Sequence, residues 1–365
     1  MEKLLFVCNW GKDKKNTWSG TPHHLREALS NYFEIVDCDV SLNYFEKVIS
    51  KLLSFRVTKK GIISVGWVLN PVYTLIMKKK AKKVIKKYSG KYVLEIGDFY
   101  ATNTKKIFSY QDLNVLKLYD IFIDNNELFK FTGYTGTLID LKKRVNHCNK
   151  FYNSVTECFF MNKWMCEYTS KKIDNKCQYV GAGANVTNCD IIQDRRPYKY
   201  LFIGRDFIRK GGDIVVKAFE IIKKRHKEAE LHICGPADIG EIYKIDGVIL
   251  HGDLDYEELH DFYSTCCAFV MPSRFEAFGL VFIESLINGC PVIANDDYEM
   301  KYIVKNNFNG YLIKNEDYLS LAKYMEDIVD NQIILNNIKN QYEFYKNEYT
   351  WDCVAKKMYS EIIKN

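Results

Sequence analysis

Two carboxylates eight positions apart, Glu276 and Glu284, bracket the run Ala277-Phe278-Gly279-Leu280-Val281-Phe282-Ile283. The pattern predicts a helix that opens at Phe278–Leu280, with Glu276 just ahead of it and Glu284 inside it. The first N–H groups of a helix have no intrahelical partner and sit at the positive end of the macrodipole, so the backbone of 278–280 suits a phosphate. The carboxylates suit neutral hydroxyls that donate hydrogen bonds. Amides for phosphate beside carboxylates for hydroxyls describe a nucleotide sugar. A second segment, Gly204-Arg205-Asp206-Phe207-Ile208-Arg209-Lys210-Gly211-Gly212, sets Arg205 and Lys210 around a loop that opens another helix. Two cations there suit a leaving diphosphate, whose departure builds charge on its oxygens. Alone, an Arg and a Lys before a helix are a common surface pattern; the glutamates in the same half give them weight.

The elements that must hold these residues alternate. Short apolar strands are predicted at Tyr198–Gly204, Glu230–Cys234, Val248–His251, Phe269–Met271 and Pro291–Ala294. Helices are predicted at Asp213–Lys227, Tyr256–Cys266, Phe278–Asn288 and Tyr318–Val329. This alternation implies a parallel, doubly wound α/β sheet, in which ligands bind beyond the carboxyl ends of the strands. Gly204-Arg205 and Ser273-Arg274-Phe275-Glu276 both fall at such ends. The first half is noisier: strands at Lys3–Cys8, Glu34–Asp37, Tyr92–Ile96 and Ile121–Ile123, and a helix through Leu29 with Thr21 as N-cap and Pro22 at its first position. A domain boundary is expected within Asn185–Pro197, and a last helix at Trp351–Ile363.

A chain of 365 residues exceeds one core of ordinary size, so two domains are expected. Hydrophobic residues at 47% and charged residues at 27% fit a globular chain and exclude a disordered one. The 12 Cys form no paired CxxC arrangement and no signal peptide precedes the first strand, which points to reduced thiols in the cytosol. Asn185-Val186-Thr187 is then not a glycosylation signal. The net charge of +6 is unevenly spread: Lys78, Lys79, Lys80, Lys82, Lys83, Lys86 and Lys87 sweep one side of a helix, with Met77, Ala81, Val84, Ile85 and Tyr88 on the other. Such a helix suits an anionic membrane surface, or is a solvated face over the core; the sequence leaves both open. The apolar run Gly61–Met77 is interrupted by Asn70-Pro71 and predicts a buried strand or surface-lying element rather than a spanning helix.

Gly204-Arg205…Lys210-Gly211 combined with Pro272-Ser273-Arg274-Phe275-Glu276-Ala277-Phe278-Gly279-Leu280…Glu284, and then Gly289-Cys290-Pro291-Val292-Ile293-Ala294 and Asn309-Gly310, resembles glycosyltransferase family four, retaining enzymes of the GT-B fold. The resemblance covers 198–330 well, and the first 190 residues only through Ser19-Gly20-Thr21 and Gly181-Ala182-Gly183-Ala184-Asn185. It implies two facing Rossmann-like domains: 1–190 for the acceptor, 191–345 for the nucleotide sugar, and a C-terminal helix within 346–365 packing back on the first. It implies ribose binding by Glu284, donor-sugar contact by Glu276, phosphate or sugar held by the amides of Phe278, Gly279 and Leu280, and neutralisation of the leaving group by Arg205 and Lys210. Gly20 would let the first domain approach the phosphate. No metal or other cofactor is implied. Retention would follow front-face displacement, the leaving phosphate helping to deprotonate the acceptor, with Glu276 a positioning residue.

The chain departs from that family in two places. A His that touches the donor sugar in the first domain is missing, since no His lies between His24 and His147; Asp112 is the candidate replacement. After Ala294 the usual Gly-Gly gives way to Asn295-Asp296-Asp297. Base contacts are expected near Gly252-Asp253-Leu254. Asp37-Cys38-Asp39 and Asp253-Leu254-Asp255 look like acidic metal pairs but are expected to be chance, and His23-His24 reads as polar surface.

The resulting expectation is a cytoplasmic glycosyltransferase, peripheral at the inner membrane face if the lysine helix binds lipid, acting on a nucleoside-diphosphate sugar and a glycan or lipid-linked acceptor, with no nucleic acid partner. The rivals are an epimerase or phosphorylase on the same fold, and a non-catalytic partner subunit.

Overall fold

The computed structural model describes residues 1–11, 13–15, 17–59, 61–185 and 195–365. The expected boundary segment and the Asn-Val-Thr triplet fall largely outside them. The chain divides into two compact units, Met1–Gly183 with Trp351–Asn365, and Ala184–Thr350.

The first unit carries strands β1 (Lys3–Cys8), β2 (Glu34–Asp39), β3 (Phe55–Thr58), β4 (Gly61–Ser64), β5 (Tyr92–Ile96), β6 (Lys106–Gln111), β7 (Glu157–Phe160) and β8 (Cys177–Tyr179). Six form a parallel sheet in the order β2-β1-β5-β6-β7-β8, and β3-β4 is a separate antiparallel hairpin. β5 is buried along its whole length, as a central parallel strand covered on both faces must be. Its Glu95 accepts the amides of Phe99 and Tyr100, and burial pushes its carboxyl up to about 8.

The helices of this unit are α1 (Thr21–Leu29), α2 (Tyr44–Leu52), α3 (Pro71–Lys87), α4 (Val115–Asp124), α5 (Asn126–Phe131), α6 (Leu138–Tyr152) and α7 (Lys163–Ser170). The strand expected at 121–123 is the end of α4. Asn114 caps that helix by accepting from Lys117 N, and Leu118 and Ile121 are buried at helical spacing. Thr21 is not the cap of α1 but its first residue; the cap is Gly20, at φ 81°. The apolar run from Gly61 is neither one strand nor a membrane span. It divides into β4, a turn of 3-10 helix at Trp67–Leu69, and α3, which Asn70 caps. Among the described residues no helix is long and apolar enough to cross a membrane.

In the second unit the strands are β9 (Arg196–Ile203), β10 (Glu230–Cys234), β11 (Val248–Gly252), β12 (Cys266–Met271), β13 (Val292–Asn295) and β14 (Gly310–Ile313), parallel in the order β11-β10-β9-β12-β13-β14. Its helices are α8 (Gly212–Arg225), α9 (Tyr256–Thr265), α10 (Leu280–Ile287), α11 (Met300–Ile303), α12 (Tyr318–Asp327), α13 (Gln332–Asn340) and α14 (Tyr342–Glu348). The last helix, α15 (Trp351–Lys364), belongs to the first unit, where Tyr359 packs on Tyr32 and Phe33 at 5.2 Å each. Each unit is thus a doubly wound, Rossmann-like α/β sheet, the fold class the sequence predicts.

Candidate functional sites at two switch points

Each sheet reverses its strand order once. In the second unit the chain runs outward from β9 through β10 to β11, then returns to β12 on the other side of β9. A crevice opens at such a reversal beyond the carboxyl ends of the strands. The loops after β9 and β12 meet there, and they contain the two predicted motifs.

Backbone geometry locks these loops together. Arg274 N donates to Arg209 O at 2.9 Å. Gly211 has φ 79°, and a Cβ there would lie 2.3 Å from the Pro272 carbonyl oxygen, so only glycine allows this approach. Arg274 forks onto Asp213 at 2.7 and 2.9 Å and onto Glu316 at 2.8 and 2.7 Å. Burial works against its charge, but the two carboxylates outweigh that and raise its pKa. Arg274 is therefore a structural clamp between loops.

The clamp brings Lys210 and Glu276 into direct ion-pair contact, both largely buried, with Arg209 Nη1 4.0 Å from the same carboxylate. Three residues beyond Glu276, Gly279 at φ 82° caps α10 with no side-chain hydrogen bond. The helix thus begins at Leu280, two residues later than predicted, because Gly279 adopts a left-handed conformation and turns the chain. Its amide end nevertheless lies beside the ion pair in sequence. A Cβ on Gly279 would come 3.1 Å from Glu276 Cγ, which shows how closely the two approach. Phe278 is buried.

Arg205 is not gathered into this cluster. Its side chain is 80% exposed and pairs with Asp253 at 2.7 Å. Glu284 is buried in α10 and accepts from the Asn185 amide and the Tyr263 hydroxyl; burial pushes its carboxyl up to about 7. Leu254 is half-buried in the loop after β11. The two Asp-x-Asp triplets have other work: Asp255 caps α9, Asp253 holds Arg205, and Asp37 takes Arg26 at 2.9 Å. Half-buried His23 and His24 and exposed Glu27 present ligand atoms within 4.8 Å of one another on α1.

The first unit reverses between β1 and β5, and there it holds a cavity of about 360 Å³. Asp112 lines it, and so do several residues that the sequence reading missed: Trp18, Asp98, Tyr134, Arg144 and His147. Arg144, on α6, pairs with Asp98, donates from Nε to Val68 O at 2.9 Å, and has a buried Nη1 with no partner. His147, one turn further along α6, bonds the Asp98 carbonyl at 2.9 Å; burial and the Arg144 charge lower its pKa and keep it neutral near pH 7. Trp18 and Ser19 hold left-handed backbone at φ 46° and 53°, leading into Gly20. The available signal was positional: Gly97-Asp98 follows β5 directly, and Arg144 and His147, three residues apart, share one face of α6.

Comparisons with known proteins bear on the family and the fold. Residues 191–347 match the family model "Glycosyl transferases group 1". An uncharacterized glycosyltransferase of Methanocaldococcus jannaschii is 29% identical over 168 residues, 43% of this chain and 42% of that protein. An uncharacterized 41.2 kDa protein in the cps region of Klebsiella pneumoniae is 23% identical over 317 residues, 86% of this chain and 77% of that protein. The chain thus spans about half the length of the M. jannaschii relatives it matches. Among solved structures, sucrose-phosphate synthase from Thermosynechococcus elongatus superposes with a TM-score of 0.70 at 16% identity, covering 100% of this chain and 99% of that one. The fold is that of the GT-B glycosyltransferases, as the sequence resemblance implies.

Proposed function

We propose, from a second unit that is a glycosyl transferases group 1 domain, that the protein is a retaining glycosyltransferase using a nucleoside-diphosphate sugar. The observation that carries this reading is the Lys210–Glu276 pair at the switch point, beside the uncapped start of α10. A donor diphosphate competes with Glu276 for the Lys210 ammonium, since both are anions. Its arrival frees the Glu276 carboxylate to accept hydrogen bonds from donor-sugar hydroxyls. One substrate thereby satisfies the cation, the helix amides of Gly279 and Leu280, and the carboxylate. Arg205 reaches the diphosphate by leaving exposed Asp253, a cheap exchange in high dielectric. Glu284 takes the ribose and Leu254 borders the base.

In the transfer, the bond from the anomeric carbon to the phosphate oxygen breaks and one to the acceptor oxygen forms on the same face. The acceptor proton passes to the departing phosphate. Lys210 and the helix amides stabilise the charge that grows there, and they fill the role a metal ion plays elsewhere. The acceptor, a glycan or a lipid-linked sugar, is held by the first unit, with Asp112 and His147 facing its hydroxyls.

The test supplies nucleoside-diphosphate sugars with and without acceptor and follows nucleoside diphosphate release. Acceptor-dependent release supports transfer, whereas conversion of the donor into an epimeric nucleotide sugar with no acceptor present and no diphosphate released, seen by chromatography of the same mixture, would make the protein an epimerase-type enzyme.

A further inference from the structure

Helix α2 is inside out. Tyr44, Phe45, Val48, Ile49 and Leu52 fall on one face, the pattern that a globular helix turns to its core. Here all five are exposed, Tyr44 by 76%, and the helix buries only Ser50. The polar side is the anchored one: Glu46 pairs with Lys80 of α3 at 2.7 Å, and the Ser50 carbonyl accepts from the buried Asn70 side chain at 2.9 Å. The β3–β4 hairpin repeats the inversion. Val57 and Ile62 face each other across it, 87% and 72% exposed, while the alternate residue Arg56 turns in to Asp140 at 2.9 Å. Exposed apolar side chains gathered within one segment, 44–62, mark an interaction site.

Charge identifies the occupant. Residues 41–90 contain twelve Lys and Arg against a single Glu, so the rest of the chain is net acidic although the whole is +6. Lys47, Lys51 and Lys59 flank the apolar face, and α3 exposes Lys78, Lys79, Lys82, Lys83, Lys86 and Lys87. Apolar side chains ringed by cations match the boundary between acyl chains and anionic headgroups. A soluble protein partner would need matching acidic and apolar surface; a bilayer supplies both as a plane. The other side of α3 sends Tyr73, Thr74 and Met77 into the wall of the first unit's cavity.

We propose that α2, the β3–β4 hairpin and the lysine face of α3 form a docking surface for an anionic phospholipid bilayer. The same helix that meets the lipid walls the cavity, so the acceptor is a lipid-linked hydroxyl delivered from that bilayer. The acceptor statement rests on the transferase reading; the docking statement does not.

Co-sedimentation with phosphatidylcholine vesicles, with and without phosphatidylglycerol, tests the docking in the absence of nucleotide and acceptor. Wild type partitions onto the anionic vesicles and is released by salt. Phe45→Glu with Val57→Glu, and separately Lys82→Glu with Lys83→Glu, each lower partitioning by about tenfold or more. These residues are exposed, so folding is retained and is checked by thermal melting. Equal binding by the variants, or no binding by wild type, overturns the proposal. So does a wild-type dimer in sedimentation velocity that Val57→Glu dissociates, since that assigns the face to a second copy. A protein that binds vesicles but no nucleotide keeps the docking surface and loses the transferase reading; the converse result does the reverse.

Discussion

The two units solve the same problem, holding polar groups at a switch point, by opposite means. The second unit relies on backbone: Gly211 at positive φ lets two loops touch, the Arg274 clamp holds them, and the Lys210–Glu276 ion pair stands at the meeting point. The first unit uses side chains from distant elements, Asp98 after β5 and Arg144 and His147 from α6, gathered round a cavity. A backbone-built site keeps its charged pair available for exchange with an anionic ligand. A side-chain-built site ties its charge into the fold and leaves neutral polar groups for a neutral ligand.

That difference can be broken by mutation, and the largest effect is expected in the first unit. Arg144→Leu strands the Asp98 carboxylate in a buried place, and breaking such a pair costs about 3–5 kcal/mol. Urea unfolding should show that loss, and adding Asp98→Asn should restore much of it. An unchanged midpoint would mean Asp98 is not held by Arg144. Lys210→Ala leaves the largely buried Glu276 with only Arg209 nearby, at 4.0 Å, so it should also cost stability, but its distinguishing effect is on the folded enzyme, whose turnover should fall by about 10²-fold or more; near-normal turnover removes Lys210 from the leaving-group site. Gly211→Ala combines a disfavoured φ with a backbone clash and should cost about 2 kcal/mol, read from the same unfolding curves. A neutral result there would show that the two loops can separate freely.

The last comparison concerns pH. Glu284 and Glu95 carry folded-state pKa values raised to about 7 and about 8. The fold therefore binds protons that the unfolded chain has already lost, and stability falls as pH rises from about 4.5 through those values. Nucleotide affinity should move the other way. Ribose hydroxyls need the ionised Glu284, so affinity rises up to about tenfold from pH 6 to 8, and Glu284→Gln flattens the profile in calorimetry. A wild-type profile already flat would argue against ribose contact.

The same contrast explains what could be read from sequence. The second unit's site was legible because its parts are contiguous: Gly204 to Gly212 is one loop and Glu276 to Glu284 one loop and helix. The strand ends were also marked by short apolar runs, which nearly coincide with β10 and β12. In the first unit, Asp98 and Arg144 are 46 residues apart and meet only after α6 packs. Ile121–Ile123 looked like a strand because its β-branched residues are locally ambiguous; the Asn114 cap decides for a helix. Helix α2 was unreadable for another reason. Apolar periodicity tells which face is distinct, and not whether that face meets core or something outside the chain.

The central claim is that the second unit binds a nucleoside diphosphate at the Lys210–Glu276 switch point, and calorimetric titration with UDP, GDP, ADP and dTDP tests it most directly. The account predicts binding of one of these, weakened in Lys210→Ala and in Glu284→Ala. Binding of none, or affinity unchanged in both variants, would contradict it.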